Sequence, residues 1–86
     1  MQLSIAVDLK GQVAIVTGAS QGLGKAVAVA LAQNGAHVVC LARNADKLAS
    51  TVSEIETAGG TAEALSVDVT DRAAAAAAIE DTAKKH

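Results

Sequence analysis

Val13-Ala14-Ile15-Val16-Thr17-Gly18-Ala19-Ser20-Gln21-Gly22-Leu23-Gly24 is the stretch whose reading decides the fold. Its first four residues are apolar and three of them are β-branched, the signature of a strand covered on both faces. A loop follows, with glycines at 18, 22 and 24. Leu23, Val27, Ala30 and Leu31 then recur at spacings of three and four, which is a helical period. Strand, glycine loop and helix together give a glycine motif its meaning. Glycines let the backbone turn tightly and let a phosphate come close. The N–H groups of the helix's first turn, with its dipole, then hold the anion. The other reading is a tight strand-to-helix turn that binds nothing.

Working outward, residues 1–12 are a lead-in to a single domain spanning 1–86. The first helix is expected over 22–34, with Gly35 at the position where helices end in a left-handed residue. Residues 36–42 form a second apolar strand, with His37 as a solvent-facing residue at its start. Asn44 is a candidate N-cap for a second helix that carries Leu48, Val52 and Ile55 on one face. Gly59-Gly60 stops that helix, and 61–68 reads as a third strand with Leu65, Val67 and Val69 alternating. Thr70-Asp71 starts a third helix, Thr70 as its cap and Asp71 at the positive end of its dipole. An alanine run over 73–78 needs only helix propensity to account for it. The order β-α-β-α-β-α with apolar strands predicts an α/β fold. It is a three-layer, Rossmann-type parallel sheet, here its first half only, with strand order 3-2-1.

Composition narrows the function. The chain has 86 residues, 51% of them hydrophobic, and holds no Phe, Trp, Tyr or Pro, so its core must be aliphatic. A net charge of -2 with no basic stripe argues against nucleic acid as a partner. The single cysteine, Cys40, rules out an internal disulfide, fits a reducing compartment and reads as a buried structural thiol. Cys40 and two distant histidines make no metal site. Neither a signal peptide nor a membrane-spanning run is visible, so a cytoplasmic protein is expected.

The loop is spaced Thr17-Gly18-x-x-x-Gly22-x-Gly24, not G-x-G-x-x-G. Thr17-Gly18-Ala19-Ser20-Gln21-Gly22-Leu23-Gly24 after a first strand resembles the classical branch of the short-chain dehydrogenase/reductase family. Within that family it is similar to the 3-oxoacyl-acyl-carrier-protein reductases. The resemblance implies a dinucleotide cofactor and a parent enzyme that reduces a ketone to a secondary alcohol. It places Gly18, Gly22 and Gly24 at the pyrophosphate with the backbone N–H of Leu23. It also places Ser20 and Gln21 near the ribose or its phosphate, and Asp68 and Val69 at the adenine. By chemistry alone Asp68 serves equally well to cap the helix after Thr70.

About 20 residues past the glycines, an Asp or Glu ordinarily accepts from the ribose hydroxyls. Here that place reads Ala42-Arg43-Asn44. No carboxylate repels a 2′-phosphate, and Arg43 offers a guanidinium that can bind one, although a strand-end charge in solvent would look the same. We therefore expect NADP(H) to be preferred over NAD(H). Gln21 weakens that preference, because many members of the resembled family carry a basic residue there. Lys25, on the first helical turn, reads as solvated. The family's Tyr-x-x-x-Lys cannot be present without a tyrosine, so no catalytic residue is assigned and the chain alone is not expected to turn over. It reads as the front third of a reductase, with the C-terminal part of the parent as a partner. Ending there leaves strand one at an edge and one sheet face bare unless the third helix folds over it, which predicts self-association through either. The alternative function is a self-associating fold module without significant cofactor binding.

Overall fold

The apolar runs and the stops between them become six alternating elements in the computed structural model, which describes residues 8–68 and 70–85. They are β1 (Val13–Thr17), α1 (Gly22–Gln33), β2 (His37–Ala42), α2 (Ala45–Thr57), β3 (Thr61–Ser66) and α3 (Arg72–Lys85). The three strands are parallel, in the order β1-β2-β3, the expected 3-2-1 arrangement seen from the other edge. Ile15 pairs with Val39, and Val39 with Glu63, so β2 lies in the middle. Its side chains from Val38 to Leu41 are completely buried.

Alternation along the strands divides the sheet into two faces. One face carries Val16, Val38, Cys40 and Ala42, and α1 and α2 pack on it with Ala28, Ala32, Leu48 and Ile55. Burial pushes the Cys40 thiol pKa up, which keeps it protonated and inert. A Schellman motif closes α1, in which Gly35 N–H donates to Ala32 O and Ala36 N–H to Leu31 O. That turn aims the chain straight into β2.

The other face carries Ile15, Val39, Glu63 and their register partners, and α3 lies against it. Lys85 Nζ reaches Glu63 Oε2 at 3.2 Å, and Thr82 of α3 is buried. This third layer only partly closes the face. Val39 and Leu41 are fully buried, whereas Val13 and Ile15 stay 41% and 37% exposed. The reading of the first strand's apolar run as covered on both faces is thus corrected, while its expected place at an edge holds. β1 is an edge of this sheet, and an edge strand lacks the flanking neighbour that would bury it.

Three smaller expectations also change. His37 is not a free strand-end residue, because its ring nitrogens lie 2.9 Å from Thr61 Oγ1 and 3.1 Å from Glu63 Oε1. Thr70 does not cap α3. Asp71 does, accepting from Ala74 N–H at 3.1 Å, because its carboxylate sits three residues before that amide. Lys25 is not merely solvated but pairs with Glu54 at 2.6 Å, joining α1 to α2.

Candidate functional site

The C-terminal ends of the strands meet the N-termini of the helices at one rim of the sheet, and the glycine loop forms its centre. Gly18 and Gly22 take φ of +67 and +59, a left-handed backbone that side chains resist. A Cβ added at either would meet nothing within 4 Å, so both lie open at the rim. Gly24 is required for a different reason. A Cβ there would run into the Gly18 carbonyl, so only glycine lets the first turn of α1 settle onto the loop. Gly18 N–H donates to Leu41 O at 2.8 Å, fixing the loop to the end of β2.

A residue that periodicity did not single out holds the same loop from below. Thr51 of α2 is completely buried, and its hydroxyl donates to Ala19 O at 2.9 Å, with Lys47 O at 3.3 Å. It lies three residues after Leu48 and four before Ile55, on the same inward stripe. A polar residue in an apolar stripe was the available signal. Replacing Thr51 with valine keeps the volume but leaves the Ala19 carbonyl without this donor. We expect that to cost about 1–2 kcal/mol of stability, read from urea midpoints.

The start of α1 is free to receive an anion. Gln21, at its N-cap, makes no side-chain cap bond, and no acidic residue occupies the first turn. By contrast, Asn44 caps α2 through Lys47 N–H at 3.0 Å, with Asp46 in the first turn, and Asp71 caps α3. The uncapped N–H groups of residues 22–24 therefore point their partial positive charge at the open loop. Leu23 itself leaves its side chain 57% exposed on the same turn, and Ser20 is half-buried.

Arg43 follows β2 directly and is exposed, with its Nη1 3.9 Å from Asp68 Oδ2. At that distance the pair is loose. Asp68 is not the cap of α3. Its Oδ1 accepts from Thr70 N–H at 2.9 Å and Thr70 Oγ1 at 2.6 Å, closing a small turn after β3. The Thr70 hydroxyl, then its N–H, hold the Asp68 carboxyl below its ordinary pKa, with Arg43 adding to them. Asp68 thus stays charged at neutral pH, and protonation would disturb this turn only below the ordinary carboxylate range. Lys47 was not singled out from the sequence, yet its Nζ donates to Gln21 Oε1 at 2.7 Å. Val69 lies outside the described residues. The structure therefore gathers Gly18, Ser20, Gln21, Gly22, Leu23, Gly24, Arg43 and Asp68 at one rim. Among the described residues no group of His, Cys, Asp and Glu could hold a metal, and no helix is long and apolar enough to cross a membrane.

A family model described as short chain dehydrogenase matches residues 12–86. The chain belongs to the short-chain dehydrogenase family. It is 45% identical over 69 residues to the 2,3-dihydro-2,3-dihydroxybenzoate dehydrogenase of Bacillus subtilis, covering 80% of this chain and 26% of that enzyme. A short chain dehydrogenase of Pseudocercospora fijiensis is 48% identical over 68 residues, covering 79% of this chain and 22% of its own. Among solved structures, a metagenomic short-chain oxidoreductase in complex with NADP superposes with a TM-score of 0.88 at 45% identity. The match covers 91% of this chain and 35% of that one. A 3-oxoacyl (acyl-carrier-protein) reductase from Agrobacterium tumefaciens C58 with NADP bound gives a TM-score of 0.83 at 36% identity, covering 90% and 30%. This short-chain dehydrogenase chain spans about a quarter of the length of the curated relatives it matches.

Proposed function

We propose that this chain is the NADP(H)-binding N-terminal portion of a short-chain dehydrogenase whose whole reduces a ketone to a secondary alcohol. The observation that carries this reading is the uncapped start of α1 behind an open glycine loop, with Arg43 at the neighbouring strand end. The residues present suit the cofactor's adenosine half. The N–H groups of residues 22–24 would hold the pyrophosphate, and Ser20 and Gln21 flank the ribose side. Arg43 would take a 2′-phosphate in a bidentate grip, and Asp68 and Val69 would border the adenine. That two similar structures hold NADP supports the choice of cofactor.

When bound, the cofactor supplies the hydride. These residues contribute binding and orientation alone. With no tyrosine in the chain, they provide no phenol to protonate the product oxygen, and no turnover of a ketone is expected from these 86 residues. Isothermal titration tests the reading. NADPH is expected to saturate and to bind at least about tenfold more tightly than NADH. Absence of binding to either, from a folded sample, would contradict it.

A second reading is favoured by one observation, the exposed Val13 and Ile15 on an edge strand. Two copies that pair through β1 would satisfy its open backbone groups and bury those side chains. We expect a concentration-dependent dimer in sedimentation experiments, displaced toward monomer by Ile15→Lys. A monodisperse wild-type monomer at high micromolar concentration would contradict self-association.

A further inference from the structure

We propose that Lys47 reads the 2′-phosphate of NADP(H), supplying from α2 the cation that the glycine loop lacks at Gln21. The inference rests on the cofactor reading above and names a selecting residue within it. Lys47 is an exposed side chain in the first turn of α2, four residues after Arg43, and its ammonium lies 2.7 Å from Gln21 Oε1. The contact bridges two elements that are distant in sequence and brings a positive charge to the residue just before α1. An ammonium can only donate, so the carboxamide oxygen must face it and the NH2 of Gln21 is turned away as a further donor.

The chemistry of the neighbours gives this contact its meaning. Lys25 and Lys85 each meet a carboxylate, of Glu54 and Glu63, at 2.6 and 3.2 Å. Lys47 is held instead by a neutral amide, which positions the charge without neutralising it. At the start of α2 one amide is already taken, because Asn44 accepts from the Lys47 N–H. The side chains that can donate to an anion at this end are the Lys47 ammonium, the Gln21 amide and the Arg43 guanidinium. Two carboxylates also border the site, Asp46 in the same turn and Asp68 beside Arg43. Directed hydrogen bonds, more than net charge, must then distinguish a phosphate from a hydroxyl.

The test is calorimetric titration of the 86-residue chain and its Lys47→Met variant with NADPH and with NADH, after circular dichroism has checked the fold. Lys47→Met is expected to weaken NADPH about fivefold to tenfold and to leave NADH within about twofold. Lys47→Arg is expected to retain most of the preference, and Gln21→Lys added to Lys47→Met to restore it. An equal loss for both cofactors would overturn the inference, since Lys47 would then merely hold the loop. So would an unchanged NADPH affinity in a wild-type background that prefers NADPH. A wild-type chain that binds neither cofactor, or binds both alike, would remove the cofactor reading first and this inference with it.

Discussion

Alanine at position 24 is expected to cost this chain more stability than any other single methyl group placed in the loop. A Cβ on Gly24 points into the Gly18 backbone, with the Gly18 carbonyl carbon at 2.7 Å and Ala19 N at 3.3 Å. Backbone cannot swing aside as a side chain can, so either α1 lifts from the loop or the loop detaches from β2. Overpacking of this kind costs about 1–3 kcal/mol and sometimes more. A domain of this size has roughly 4–13 kcal/mol of stability in all. The contrast with the other two glycines makes the prediction specific. Gly18→Ala and Gly22→Ala meet open space and bear only the strain of a left-handed backbone, about 1–2 kcal/mol. Urea denaturation of the three variants is expected to place Gly24→Ala lowest. Equal midpoints would mean that α1 does not rest on the loop as described.

Arg43→Ala is expected to show the opposite profile, with stability unchanged and binding selectively lost. The side chain is exposed, and its ion pair with Asp68 is long. Exposed pairs contribute about 0–1 kcal/mol, so the denaturation midpoint should hardly move. Against a 2′-phosphate the same guanidinium makes charge-assisted bonds in a bidentate arrangement. Losing those is expected to weaken NADPH roughly tenfold to a hundredfold. NADH, which presents a hydroxyl there, is expected to stay within about twofold. The ratio of the two affinities, measured on wild type and variant, is the quantity to compare. A loss shared equally by both cofactors would show that Arg43 acts on the rim's shape and does not select the phosphate.

How far each residue is legible in the sequence follows from the kind of signal it carries. The glycine loop is legible because three glycines between an apolar strand and a helical period mark a tight, open turn at a helix start. Asn44 is legible as a cap because its carboxamide sits at the offset where a cap bond reaches the third helical amide. Thr51 is not, because a hydroxyl on an apolar stripe looks like an interruption until its buried acceptor, Ala19 O, is in view. Lys47 is hidden for a related reason. Its partner Gln21 lies 26 positions away, and no local period links a helix's first turn to a loop on another element. His37 misleads because a strand-end polar residue looks solvent-bound until the parallel partner strand brings Thr61 and Glu63 beside it. The exposure of β1 depends on which strands flank it, a property of the sheet and not of five residues.

Dinucleotide binding at the glycine loop is tested most directly by an amide chemical-shift map of the isotopically labelled 86-residue chain titrated with NADPH. Saturable shifts are expected, concentrated at Gly18, Gln21, Gly22, Leu23, Gly24 and Arg43, with smaller ones at Asp68. NADH is expected to reproduce the glycine-loop shifts but not those at Arg43. Saturable shifts centred on α3 or the exposed edge of β1, with the glycine loop silent, would contradict it.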